Sequence, residues 1–180
     1  MYLQDLMYFL CCITFLINQE PIRLGTDLLE KRVAGKDLSR FNKLQDNEVL
    51  KFGIIRKSLI SDYYQLKESK ASFLGENANN LIIAVENDTI TSFQFEITTA
   101  NLDFFERVKN IYGEPTWTMN HGILPKKIDL QQSSIKELNL SEYNTLNWHL
   151  DKVKRYDLFI ENYSQENKLV VKFLVYKNLK

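Results

Sequence analysis

The sequence predicts an α+β fold, with helices packed on one face of a mostly antiparallel sheet, and three observations carry that expectation. Short apolar runs alternate with polar residues at strand period, one amphipathic stretch ends at a Gly-x-Pro stop, and three strand-like segments close the chain on short links. Each part of the chain, 21–98 and 99–180, runs helices first and strands after, so a single globular domain over 21–180 also admits two related halves.

The first twenty residues stand apart. An apolar block from Leu6 to Ile17 gives way abruptly to Asn18-Gln19-Glu20-Pro21. The block is shorter than the roughly 20 residues of a membrane-spanning helix and lies within the range of a secretory h-region. Residues 1–20 are therefore expected to be a signal or membrane-anchor segment, and the protein to be exported to the periplasm or cell envelope. The alternative is a cytoplasmic protein that buries this block in its core, because Asp5 is the only charged residue before Leu6 and no small-x-small cleavage site follows. A lipidated cysteine at Cys11 or Cys12 is the lipoprotein variant, although Phe9 and Leu10 are larger than the residues that usually precede one. No disulfide can form within the part that follows Cys12, so packing must hold that part together.

Past Pro21, Thr26 or Asp27 can cap a short helix with Leu28, Leu29 and Val33 on one side and Gly35 at its end. A second short helix is expected from Asp37 to Leu44, with Leu38, Phe41 and Leu44 at three-residue steps. Strands are expected over Val49–Lys57 and Leu59–Leu66. The clearest hairpin joins Leu81–Val85 to Ile90–Ile97 through Glu86-Asn87-Asp88-Thr89, whose Asn-Asp centre suits a tight turn. The best helix runs from about Asn101 to Tyr112, with Leu102, Phe105, Val108, Ile111 and Tyr112 on one face, Asp103 and Arg107 spaced to pair, and Gly113 then Pro115 to stop it. From Thr116 to Tyr143 the pattern is mostly loop, with a capping-box signal at Ser134 to Glu137. Strands Thr145–Lys152, Tyr156–Tyr163 and Lys168–Tyr176 then form an antiparallel meander.

The stretch FFERVKNIYGEP at Phe104 to Pro115, the later strand carrying Trp148 and the Gly25-Thr26 helix start resemble small bacterial envelope proteins of the outer-membrane-assembly small-lipoprotein type and the related β-lactamase-inhibitor-protein fold. The resemblance covers about a third of the chain and implies a non-enzymatic protein that works by surface contact.

Charge narrows the function. Lys plus Arg equals Asp plus Glu at 23 each, so no field of one sign draws nucleic acid or an anionic membrane, and nucleic-acid binding is not expected. Membrane contact is expected only through the N-terminal segment, if it is retained or lipidated. The six glycines are scattered singly rather than gathered in a phosphate-binding loop, the two cysteines are adjacent, and no metal-ligand spacing occurs, so neither cofactor nor metal is expected. The expected role is a non-catalytic exported protein that contacts a protein or cell-envelope component, with an immunity-type inhibitor of a toxin as one alternative. The candidate contact residues are Phe159, Tyr163, Val170, Leu174 and Tyr176, which share one face of the closing meander while Leu158, Ile160, Val171 and Phe173 face the core. A second alternative is a hydrolase using His149 and Asp151 beside Asn147, placed on one strand face by alternation, with Trp148 turned inward. His121, among turn-forming neighbours, is read as a loop residue.

Overall fold

The computed structural model describes residues 21–33, 35, 37–52, 54, 60–68, 70–98, 102–119, 126–127, 144–151, 156–163 and 166–175. The leader-like residues 1–20, His121, the Ser134–Glu137 signal and Tyr176 lie outside the described residues. Strand accounts for 54% and helix for 21% of what is described, with one helix longer than seven residues. The fold is thus mostly β, which corrects the expected α+β layering of several helices over a sheet.

Among the described residues, eleven strands join in one sheet. They are β1 (Ile22–Arg23), β2 (Phe41–Lys43), β3 (Asp62–Leu66), β4 (Ala71–Phe73), β5 (Glu76–Glu86), β6 (Thr89–Thr98), β7 (Trp117–Met119), β8 (Lys126–Lys127), β9 (Thr145–Asp151), β10 (Tyr156–Tyr163) and β11 (Lys168–Val175). The main path is β1-β4-β5-β6-β11-β10-β9-β7-β8, and β3 joins the free edge of β5 with β2 outside it. Every pairing is antiparallel except β1 with β4, so the sheet is mixed at its first edge.

The β5–β6 hairpin turns at Asn87 and Asp88, both left-handed at φ 49° and 59°, the conformation that a two-residue turn between twisted strands requires and that Asn and Asp tolerate. The three closing strands pair as a meander, and β11 then pairs along β6, from Lys168 opposite Thr98 to Leu174 opposite Ser92. One sheet therefore runs through both parts of the chain.

Two of the expected helices are short 3-10 turns instead, Thr26–Leu28 and Asp37–Arg40. Neither is long enough to offset the cost of helix nucleation, and sheet partners compete for their backbone groups. The Glu30 N–H donates to the Ile90 carbonyl at 2.8 Å, the Ile90 N–H to Lys31 at 3.0 Å, and the Val33 N–H to Asp88 at 2.8 Å, so residues 30–33 run alongside the start of β6. Phe41 to Lys43 is likewise drawn into strand by Tyr64 to Leu66. Of the expected strand Val49–Lys57, residues 53 and 55–57 lie outside the described residues, and its start is helical instead: Asp46–Lys51 is a short helix, opened by the Gln45 N–H donating to Glu48 Oε2 at 2.8 Å.

The long helix, Leu102–Tyr112, places Phe104, Phe105 and Val108 in the main core. Arg107 pairs across to Glu76 of β5 and so ties this helix to the sheet. Phe73, Phe95, Phe104 and Phe173 are all fully buried, and their rings form a connected group in which Phe73 meets Phe95 at 5.2 Å and Phe173 at 5.7 Å. The opposite face has a smaller core of Leu44, Val49, Tyr63, Ile82 and Ala84 at the short helix. Leu81 to Val85 is consequently buried at every position, as a continuous apolar run demands.

Trp148 is 2% exposed, and its indole N–H donates to the Gly113 carbonyl at 2.9 Å, so one side chain both fills the core and closes the end of the long helix. Replacing Trp148 with Ala should cost about 3–5 kcal/mol through the cavity left behind. Urea unfolding should show this as a lowered midpoint with an unchanged slope.

Candidate functional site

A cleft of about 630 Å³ opens where the end of the long helix meets the ends of β9 and β10. Its walls come from three separate parts of the chain: Thr26, Asp27, Leu29 and Glu30 from the first 3-10 turn, Ile111 and Tyr112 from the helix, and His149, Leu150, Asp151 and Tyr156 from the sheet. Among the described residues, three carboxylates, two phenols and an imidazole face this space, with no Lys or Arg. Glu30 is held with a left-handed backbone at φ 61°, and its carboxylate accepts a hydrogen bond from the Tyr156 hydroxyl at 2.5 Å. That contact spans 126 residues of sequence and latches the N-terminal segment onto β10.

The histidine is oriented by a carboxylate, but by a different one from that expected. His149 Nδ1 lies 2.7 Å from Asp157 Oδ1, with the Asp157 side chain 8% exposed and that of His149 51% exposed. The reason is a register shift between Tyr156 and Asp157, which sets Asp157 opposite His149 and Tyr156 opposite Asp151. Two steps along β9 match one step along β10, so the alternation that would put His149 and Asp151 on one face is broken between them. His149 and Asp151 both line the cleft, but the carboxylate that meets the imidazole is that of Asp157. The sequence signal for Asp157 existed only in the pairing of two strands and could not be read from either alone.

Asn147 was expected beside His149 at the solvent, and it is fully buried. It stands opposite Trp117 on β7 and opposite Phe159 on β10, two rings that meet edge to face at 5.9 Å. β7 pairs along the outer edge of β9 and so covers a position that alternation alone leaves open.

The candidate contact face is less apolar than its residue types suggest. Val170 is buried at 8%, Phe159 and Leu174 are half-buried, and Tyr163 is 43% exposed. Between them run ion pairs, Lys172 with Glu161 at 2.8 Å and Lys168 with Glu166 at 2.9 Å, and the Lys168 ammonium lies 5.4 Å from the centre of the Tyr163 ring. Aromatic groups on this face are thus interleaved with paired charges rather than gathered in one patch.

Among the described residues no group of three or more His, Cys, Asp and Glu side chains is placed to hold a metal ion, and no helix is long and apolar enough to cross a membrane. Comparison of the chain with protein-family models, with curated proteins and with solved structures finds no match.

Both cleft phenols resist ionisation. Burial raises the Tyr112 hydroxyl to about 12, with the Asp27 charge adding to it. Burial also raises Tyr156 to about 12, aided by its hydrogen bond to Glu30 and by the charges of Glu30 and Asp151. A phenol whose folded value lies above its unfolded one stabilises the fold fully below the unfolded value near 10 and loses that contribution as pH rises toward 12. Stability to urea should therefore fall between pH 10 and 12, and Tyr156→Phe should make that fall shallower.

Proposed function

We propose that the protein acts by binding rather than by catalysis, as an exported protein that contacts a protein or cell-envelope component and takes a basic side chain of it into the acidic cleft. The observation that carries this reading is the lining itself: among the described residues, Asp27, Glu30 and Asp151 converge on one space with aromatic and aliphatic walls. A lysine or arginine entering it meets carboxylates for its charge and Tyr112, Ile111 and Leu150 for its methylenes. The apolar block at Leu6 to Ile17 supports export, and the likeness of the Phe104 to Pro115 stretch to small envelope lipoproteins supports a role in surface contact. An immunity-type inhibitor is the form this takes if the basic group belongs to a toxin.

A second reading rests on the His149–Asp157 contact. A carboxylate on Nδ1 holds the imidazole so that Nε2 can take a proton from water, the arrangement of a general base in hydrolysis. On that reading His149→Gln abolishes turnover of an ester or amide substrate. On the binding reading it changes affinity only.

Calorimetric titration separates the cleft from general surface charge. A short capped peptide with two lysines should bind, and its counterpart with two glutamates should not. The double substitution Asp27→Asn with Asp151→Asn should weaken the lysine peptide at least about fivefold, and so should raising salt from 0.05 to 0.5 M, since exposed charges are screened over about 10 Å or less. Equal binding of the two peptides would sink the proposal.

A further inference from the structure

The three carboxylates of the acidic cleft stand in two groups rather than one. The charge of Asp27 acts on the Tyr112 hydroxyl, at the end of the long helix. Those of Glu30 and Asp151 act on Tyr156, at the start of β10, whose hydroxyl donates to Glu30 Oε2 at 2.5 Å. Among the described residues no three acidic, His or Cys side chains are placed to share a metal ion, so no single small cation meets all three carboxylates at once. An apolar side chain stands beside each group: Ile111, 60% exposed, next to Tyr112, and Leu150 next to Asp151. One lysine side chain, at roughly 30 Å³ for each water-sized group, fills only about a quarter of the 630 Å³ between them.

We propose that the cleft takes a linear aliphatic dication, two ammonium groups joined by a run of methylenes, with one end at Asp27 and the other at Glu30 and Asp151. This rests on the reading of the cleft as a site for basic groups, and adds that the guest carries two of them at a set spacing. With the imidazole neutral, the described lining carries three negative charges, so a monocation leaves two uncompensated and a dication leaves one. Carboxylates spread over the cleft reward an elongated guest, because its second end binds from an already tethered position rather than from bulk solution. The methylenes between the ends find Ile111 and Leu150, as the stem of a buried lysine does. Two sources supply this chemistry, a free aliphatic diamine and a pair of lysines on a protein partner.

The test is calorimetric titration of the full chain with α,ω-diamines from propane to octane, with the monoamine of each length, and with a short capped peptide of two lysines. The best diamine should bind at least about tenfold more tightly than the monoamine with the same methylenes, and affinity should peak at one length within the series. Asp27→Asn should cut that advantage to about twofold, the statistical gain from having two equivalent ends. A diamine within about twofold of its monoamine at every length, or an advantage unchanged in Asp27→Asn, would overturn the assignment. Monoamines and the lysine peptide binding with no preference for diamines would sink this inference alone, whereas no binding by any amine would sink the basic-group reading with it. A diamine tighter than the peptide makes the dication a small molecule, and the reverse order makes it a lysine pair of a partner. Should Asp27→Asn fail to fold, the comparison of diamine with monoamine on the unsubstituted chain decides the matter.

Discussion

The pairing of β6 with β11 is the contact on which the remaining architecture depends, because it joins the hairpin of the first half to the meander of the second. Its residues do two jobs at once. Phe93 and Phe173 stand directly opposite each other and stack at 4.7 Å, which anchors the ring group that continues through Phe95 and Phe73 to Phe104 of the long helix. On the other face the Lys168 ammonium reaches Glu96 at 3.5 Å, and Gln94 donates to the Phe52 carbonyl at 2.9 Å, tying in the end of the short helix. Were this seam to part, two sheets with open edges would remain, each with half a core.

The segment from Thr26 to Val33 is the second organising feature. It is too short to be a helix and too irregular to be a strand, yet it separates two cavities of opposite character. Leu29 and Glu30 face the acidic cleft, while Leu28, Lys31 and Val33 face the apolar one. The left-handed backbone at Glu30 lies between them, in a conformation seldom adopted outside Gly, Asn and Asp. Hydrogen bonds to Ile90 and Asp88 on one side and to Tyr156 on the other hold it there.

The chemistry of the cleft is likewise a product of long-range packing. Carboxylates from residues 27 and 30 reach the same space as one from residue 151 only because the N-terminal segment crosses the end of the sheet. The phenols of Tyr112 and Tyr156, from a helix end and a strand start, hold their protons to higher pH than a free tyrosine because they are buried in that same junction. The geometry gathers three carboxylates of the described residues into one cleft of a molecule whose formal net charge is zero.

The sequence by itself determined the elements whose signals are local and strong. The Leu102–Tyr112 helix, the hairpin turning at Asn87 and Asp88, and the three closing strands follow from periodicity, turn chemistry and stop residues that neighbouring positions suffice to specify. Trp148 and its core-facing neighbours are legible in the same way, since alternation in a half-buried strand needs no partner to define it. Only the tertiary structure decided the rest. Thr26 to Val33 and Asp37 to Leu44 carry helical spacing, but spacing over so few residues is a weak preference, and backbone bonds to β6 and β3 outweigh it; that is why a mostly β fold stands where α+β was expected. The partner of His149 depended on a one-residue irregularity between strands, and the burial of Asn147 on a further strand covering it. The Arg40 Nη2, buried with no hydrogen-bond partner among the described residues, is of the same kind, because which partners a polar atom finds is a property of what the fold brings within reach, and no pattern along the chain encodes it.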